Sequence, residues 1–362
     1  MRRLLLLLLP LALLLAVPVR GEGEREALEE ALGVGSVEEA AAALEDADPG
    51  SLEDFDPTGA LPEMLSRVPA GGLVREAVRE AAGVLLILLC CAGVDSVFSL
   101  TESQLSALNL AGAAAVSLLL AGRQESLISQ GFSAVTKALD FGNVLLPVLT
   151  ASAAAAGQAV SAGARYAAAA LFLNVLLNAL QLLAAPVIRL YFAASAVEAA
   201  SGSGTVTAGV NFLRWLVGAL LTCLMLAFTL YISLTSLAAG SADAAVLKSV
   251  KTAVSAAIPV VGGIAADAAG SILAAAGAIR AGLGAYGIAA VLGLLLPPFL
   301  RAGAGFLIYR AAAALTADLA PGRLSLLARR CSDTLGLLLG CLGACGLMLF
   351  FSIYAMMGVW SG

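Results

Sequence analysis

The chain has 362 residues, 60% of them hydrophobic and 12% charged, with no histidine and a formal net charge of −5. Its mean hydropathy of +0.97 excludes a soluble globular domain, because so few polar side chains could not cover a core of that size, and the chain reads as an integral membrane protein. The absence of histidine removes Ser-His nucleophilic pairs, HExxH zinc sites and histidine proton relays in one step.

Charge is segregated along the chain. Residues 21–80 hold 16 Asp/Glu against four Arg, whereas residues 81–362 hold 13 Lys/Arg against nine Asp/Glu. Ahead of both, Arg2 and Arg3 form a positive start to the apolar stretch 4–19, which contains Pro10 and Pro18. That stretch is shorter than the ~20 residues of a spanning helix, so residues 1–20 read as a signal peptide. No good small-x-small pair lies near Val17 to Gly21, and the sequence leaves its cleavage open.

Residues 21–80 form an acidic segment on the exported side. Residues 24–32 and 37–44 have helical spacing, and Asp48-Pro49-Gly50 and Asp56-Pro57-Thr58-Gly59 are turn signals. The segment reads either as a solvated lead-in or as a docking element for an exported partner.

From residue 81 to the C-terminus the chain reads as an all-α polytopic membrane bundle. Seven stretches are long and apolar enough to span, near residues 82–100, 105–122, 141–160, 166–185, 215–237, 281–300 and 335–360. The stretches 186–200, 252–275 and 302–320 are ambiguous. Arg301, Arg310, Arg323, Arg329 and Arg330 precede the last span, which places that connection in the cytoplasm and the C-terminus outside. With residues 21–80 also outside, the number of spans is even. Counting 186–200 gives eight and places Arg165 and Arg214 inside together, leaving Lys248, Lys251 and Arg280 outside.

Several apparent motifs carry no chemistry. Gly282-Leu283-Gly284-Ala285-Tyr286-Gly287 spells a dinucleotide fingerprint, but that signal needs a soluble βαβ unit, and here it opens a membrane span. Gly336 and Gly340, continued by Ala344, form a small-xxx-small stripe suited to helix packing in lipid. Five of the six cysteines lie inside apolar spans and Cys331 lies at a boundary. Without histidine they make no Cys/His ligand set, and neither a metal nor another cofactor is expected. Asp95 and Asp267 are the only carboxylates deep enough to suggest a facing acid pair. Neither has a recognisable context, so no enzymatic activity is expected.

Polar groups inside apolar spans are functional candidates, because a charge at mid-bilayer costs roughly 2.5 to 3.5 kcal/mol on the insertion scale. Asp95, Arg189 and Asp267 qualify. Asn174, Asn178 and Gln181 share one helix face by their spacing, as interhelical hydrogen bonding would require. The stretch from Pro259 to Asp267 is the least ordinary. Pro259 breaks a helix, Gly262 and Gly263 free the backbone after it, and Asp267 follows in an alanine-rich run. A broken helix at membrane depth is tolerated where it lines a water-filled cavity, so transport is a plausible activity.

The same region carries a resemblance. Asn211-Phe212-Leu213-Arg214, the run Ser236-Leu237-Ala238-Ala239-Gly240-Ser241-Ala242-Asp243, Lys251, Ile258-Pro259-Val260-Val261-Gly262-Gly263, Asp267, Gly282, Gly287 and Pro297 resemble, in order and spacing, the stage III sporulation protein AE family of endospore-forming bacteria. The likeness extends from about residue 81 to the end, and the chain departs from the family pattern in its high Ala and Gly content. The resemblance implies a permease-like subunit of a channel-like complex in the mother-cell membrane that faces the engulfed forespore. The implied partners are other proteins of the same sporulation operon, including an ATPase and ring-forming proteins related to secretion systems, and a forespore membrane protein. No catalytic residues come with it. A free-standing secondary transporter, binding a small solute at the broken helix, is the alternative reading, although the inverted repeats that would favour it are not evident.

Overall fold

The computed structural model describes residues 22–44, 49–52, 55, 70–98, 101–257, 262–316 and 322–357. The segment read as a signal peptide lies outside them, as does Pro259. The described residues contain helices and no strand. In chain order the helices are α1 (Glu22–Leu32), α2 (Val34–Ala42), α3 (Ala70–Phe98), α4 (Glu102–Ala155), α5 (Ala159–Ala179), a π turn (Leu180–Ala184), α6 (Ala185–Ser201), α7 (Gly204–Ala257), α8 (Gly262–Leu315) and α9 (Gly322–Met357).

Local chemistry accounts for several boundaries. Thr101 precedes α4, and its backbone N–H donates to the Gln104 side chain at 3.0 Å, satisfying a donor that the first turn leaves orphaned. Gly202 ends α6 with φ of 64°, a left-handed conformation that costs glycine nothing, and its N–H caps the carbonyl of Glu198 at 2.8 Å. The guanidinium of Arg323 lies where a Cβ on Gly202 would sit. The reversal from α6 to α7 is therefore both a glycine turn and a close approach.

Helix α9 is the axis of the bundle. Leu335, Leu338, Cys341, Leu342, Cys345, Met348 and Leu349 are all buried, and glycines of neighbouring helices admit the larger ones. Gly131 and Gly142 of α4 lie against Leu338 and Leu349, while Gly305 and Gly284 of α8 lie against Leu335 and Met357. These pairings set the directions: α4 runs parallel to α9 and α8 antiparallel. Small residues let helices approach in an environment where dispersion, not water exclusion, drives association. The same logic seats Leu145 of α4 against Gly287 of α8, inside the run that mimics a nucleotide fingerprint.

The polar groups fall at two heights along this axis. Arg330 marks one. At the other, Arg165 donates to the carbonyl of Ala355 at 2.7 Å and Arg280 donates to Gln158 at 2.9 Å. From Arg330 to Ala355, α9 rises about 37 Å, close to a bilayer's hydrocarbon core of ~30 Å with part of its headgroup layers. The headpiece packs at the second height. Val34, Val37 and Ala41 of α2 are buried, the Tyr286 hydroxyl donates to the Gly50 carbonyl at 3.0 Å, and the Phe55 and Tyr286 rings meet edge to face at 5.5 Å.

Among the described residues six helices are long and apolar enough to cross a membrane, by length and composition, and the boundaries read from the sequence change in three places. The stretch 105–122 and residues 141–155 of the stretch 141–160 belong to one 54-residue helix, α4, which rises about 81 Å. Residues 123–140 fall between two stretches read as spans, and they carry Arg123, Glu125, Lys137 and Asp140. They stay helical because their buried face is continuous, through Leu127, Ile128, Phe132, Val135 and Leu139. The stretches 166–185 and 186–200 form one continuous helical run, with the Pro186 break absorbed by the π turn. Arg165 and Arg214 consequently lie at opposite ends of the bundle rather than on one side. The stretch 281–300 and the described part of 302–320, as far as Leu315, join within α8, which continues through Pro297 and Pro298.

The glycine contacts along α4 make a testable distinction. Gly142→Leu must displace Leu349, which would lie 2.6 Å from an added Cβ, whereas Gly122 has nothing within 4 Å. Overpacking a filled interface costs about 1 to 3 kcal/mol. Gly142→Leu is expected to lower the melting temperature of the detergent-solubilised protein and Gly122→Leu to leave it unchanged. Equal melting curves for the two variants would show that the α4 and α9 packing is not as described.

Candidate functional site

The charges that the fold buries are not the ones that stand out in the sequence. Glu198 near the end of α6, Arg330 and Asp333 in the third and fourth turns of α9, and Asn211 and Arg214 near the start of α7 meet at one end of the bundle, joined by Arg310 from α8. Glu198 is 2% exposed, Asp333 5% and Arg330 6%. Arg330 donates from Nε and Nη2 to the two carboxylate oxygens of Glu198 at 2.9 and 3.0 Å, and from Nη1 to the Asn211 side-chain oxygen at 2.9 Å. This fork geometry satisfies a guanidinium far better than a point charge would be satisfied. Asp333 accepts from Arg214 and Arg310, each at 2.9 Å.

Five charged side chains from four helices thus form a site of two adjoining groups, Arg330 with Glu198 and Asp333 with Arg214 and Arg310, with three cations and two anions in all. Glu198, Arg330 and Asp333 are sealed, whereas Arg214 and Arg310 are half exposed. Supporting bonds surround it. Ser332 donates to the Phe306 carbonyl at 2.8 Å, Thr334 to the Arg330 carbonyl at 3.0 Å, and buried Gln124 of α4 to the Cys331 carbonyl at 3.4 Å. Beside Arg214 a shallow, open groove runs along the outer face of α7, lined by Asn211, Arg214, Trp215, Gly218, Thr222 and Leu226 among others. Among the described residues no three His, Cys, Asp or Glu side chains come together in a way that could hold a metal ion.

The residues singled out from the sequence are dispersed. Arg189 of α6 is exposed and pairs with Glu125 of α4, its Nε lying 3.0 Å from both carboxylate oxygens. Asp95 lies near the C-terminal end of α3, and Asp267 near the start of α8. Cys91 of α3 and Leu324 of α9 both lie against Gly112 of α4, while Gly284 of α8 lies against Met357. The backbone at Asp95 and at Asp267 therefore lies towards opposite ends of α9, and the side chain of Asp95 lies outside the described residues. Gly262 and Gly263 open α8 after α7 ends at Ala257, and the side chain of Asp267 lies outside the described residues. Of the polar set on α5, Asn174 and Asn178 donate to carbonyls one turn back in their own helix. Gln181 reaches across to the Thr136 hydroxyl of α4 at 3.1 Å.

Sequence reading missed Glu198, Arg330 and Asp333. Arg330 looked like part of a cytoplasmic connection, but it lies inside α9 and is buried. A carboxylate at the end of the apolar stretch 186–200 and another three residues after Arg330 were the available signals, and neither reveals a partner more than a hundred residues away.

A buried ion pair loses more when one partner is removed than when both are replaced, because a single removal leaves an unpaired charge, at roughly 3 to 5 kcal/mol. Arg330→Met is therefore expected to reduce the protein's abundance and melting temperature more than the double variant Glu198→Leu with Arg330→Met. A double variant no better than the single one would show that the pair is not what holds α6 to α9.

Comparison with known families gives one result. The family model for stage III sporulation protein AE matches residues 71–359, the bundle from α3 to the end of α9. No curated protein and no solved structure gives a significant match. With most of its length matched, this multi-pass membrane chain belongs to the stage III sporulation protein AE family.

Proposed function

We propose that the chain is the polytopic, permease-like and non-catalytic subunit of a channel or secretion-like complex in the mother-cell membrane surrounding the forespore. The observation that carries this reading is the family match, which spans the bundle of membrane-length helices. The polarity of the bundle supports it. Arg214, Arg310 and Arg330 gather at one end, and the positive-inside tendency assigns that end to the mother-cell cytoplasm, where an ATPase of the same operon would dock. The headpiece packs at the other end, beside Tyr286. It would then face the intermembrane space, within reach of ring-forming proteins and a forespore membrane partner.

Affinity purification from sporulating cells is expected to recover the ATPase and ring-forming proteins with this chain, and a deletion strain is expected to grow normally yet fail to form heat-resistant spores after engulfment. Purification of the chain alone, together with normal spores from the deletion strain, would refute the assignment and leave a free-standing transporter.

The segment from Pro259 to Asp267, with Gly262 and Gly263 within it, is proposed to be a broken, cavity-facing element of this subunit. Asp267→Leu and Gly263→Val are expected to abolish spore formation at normal protein levels, and wild-type sporulation by either variant would return the segment to ordinary packing.

A further inference from the structure

We propose that the exposed face of α4 between Glu125 and Asn143 is one wall of a water-filled path across the membrane, closed by further copies of this chain. The proposal rests on reading the chain as a membrane subunit and names the surface such a path would use.

The side chains on this face decide the matter. Between Glu125 and Asn143 every exposed residue of α4 is polar: Glu125 and Gln130, then Ser129, Ser133, Lys137, Asp140 and Asn143. Steps of three and four keep them on one side of the helix, and the stretch rises about 27 Å, nearly the ~30 Å of a hydrocarbon core. It runs parallel to α9 between the height of Arg330 and that of Ala355, as the contacts of Gly131 with Leu338 and Gly142 with Leu349 establish. Lys137 and Asp140 therefore sit midway between the two charged heights.

Other helices treat the same depth differently. Between these two heights α9 exposes Leu347, Phe350 and Phe351, and α8 exposes Leu292 and Phe299, side chains suited to lipid. Helices beside the α4 face add polar groups to it instead. Gln181 bonds to Thr136, Arg189 pairs with Glu125, and Arg301 of α8 donates to Gln130 at 2.8 Å. Lys137 and Asp140, in contrast, make no hydrogen bond or ion pair with another described residue. An ammonium and a carboxylate at mid-bilayer are strongly disfavoured against acyl chains and are found paired with other groups or facing water-filled cavities or other protein.

The face lies on the outside of the protomer, so one chain alone cannot enclose a path. Further copies arranged about the membrane normal would bring the same heights around a common axis, forming rings of Lys137, Asp140 and hydroxyl groups of the kind that line pores. With three cations and two anions among Glu125, Lys137, Asp140, Arg189 and Arg301, the face is close to neutral. Copies can therefore approach without strong like-charge repulsion. Hydroxyls, amides and charges of mixed sign suit small hydrophilic solutes rather than one class of ion.

The test uses the full chain in membranes of a host that lacks every other sporulation protein, with native Cys90 and Cys223 replaced by serine. Ser133→Cys and Asp140→Cys are introduced singly, alongside Leu182→Cys and Phe350→Cys as exposed apolar controls, and each variant is treated with a membrane-impermeant, water-soluble thiol reagent. The expected result is labelling of the two α4 positions at least tenfold faster than of the two controls, with Ser133→Cys also forming a disulfide-linked dimer on mild oxidation. Labelling no faster than at Leu182→Cys overturns the water-filled wall. Fast labelling without any dimer overturns closure by further copies. Neither outcome bears on co-purification from sporulating cells, so failure here is distinguishable from failure of the assignment to the complex.

Discussion

A guanidinium without water must have its hydrogen bonds supplied by protein, and the placement of Arg330 governs much of this bundle. Its partners arrive from the end of α6 and the start of α7, so those helices have no freedom to slide along α9. Asp333, one turn further on, takes Arg214 from α7 and Arg310 from α8, which fixes a fourth helix at the same height. The turn at Gly202 serves this arrangement. Only a tight left-handed reversal returns the chain soon enough for Glu198 and Asn211 to address the same arginine.

Once the height of that end is fixed, glycine contacts set the remainder. Leu338 and Leu349 lodge against Gly131 and Gly142, so α4 lies beside α9 in parallel with one face sealed and the other outside. The sealed face is as apolar as any in the protein. The outer face is polar over most of a membrane's thickness, and the two faces belong to the same residues that an averaged hydropathy reads as a connection.

That averaging explains which parts of the structure were legible in the sequence. The membrane class, the all-helical architecture and the family came from composition and from the ordered string between Asn211 and Pro297. Glycine packing was also readable, since Gly284 and Gly287 do lie against side chains of neighbouring helices. The continuity of α4 was not, because a window that averages over a helix cannot separate a half-polar helix from a loop. Pro186 looked like a boundary for a related reason: proline removes one backbone donor, but a locally widened turn accommodates it without ending the helix. The charged site escaped because its members are far apart in sequence and each alone looks like an interfacial residue.

The π turn at Leu180–Ala184 has a consequence of its own. A π turn is an extra residue that a helix has not absorbed into regular winding, so it acts as a phase shift between α5 on one side and α6 on the other. Within the turn, Gln181 addresses Thr136; beyond it, Arg189 addresses Glu125 and Glu198 addresses Arg330. Losing any one residue of the turn would restore ordinary winding and rotate all of α6 by about 100°. Glu198 would then swing out of the sealed interior, carrying the Arg189 contact away as well. A single codon at this point therefore sets the rotational phase by which the outer polar surface and the interior charged site are held in one chain.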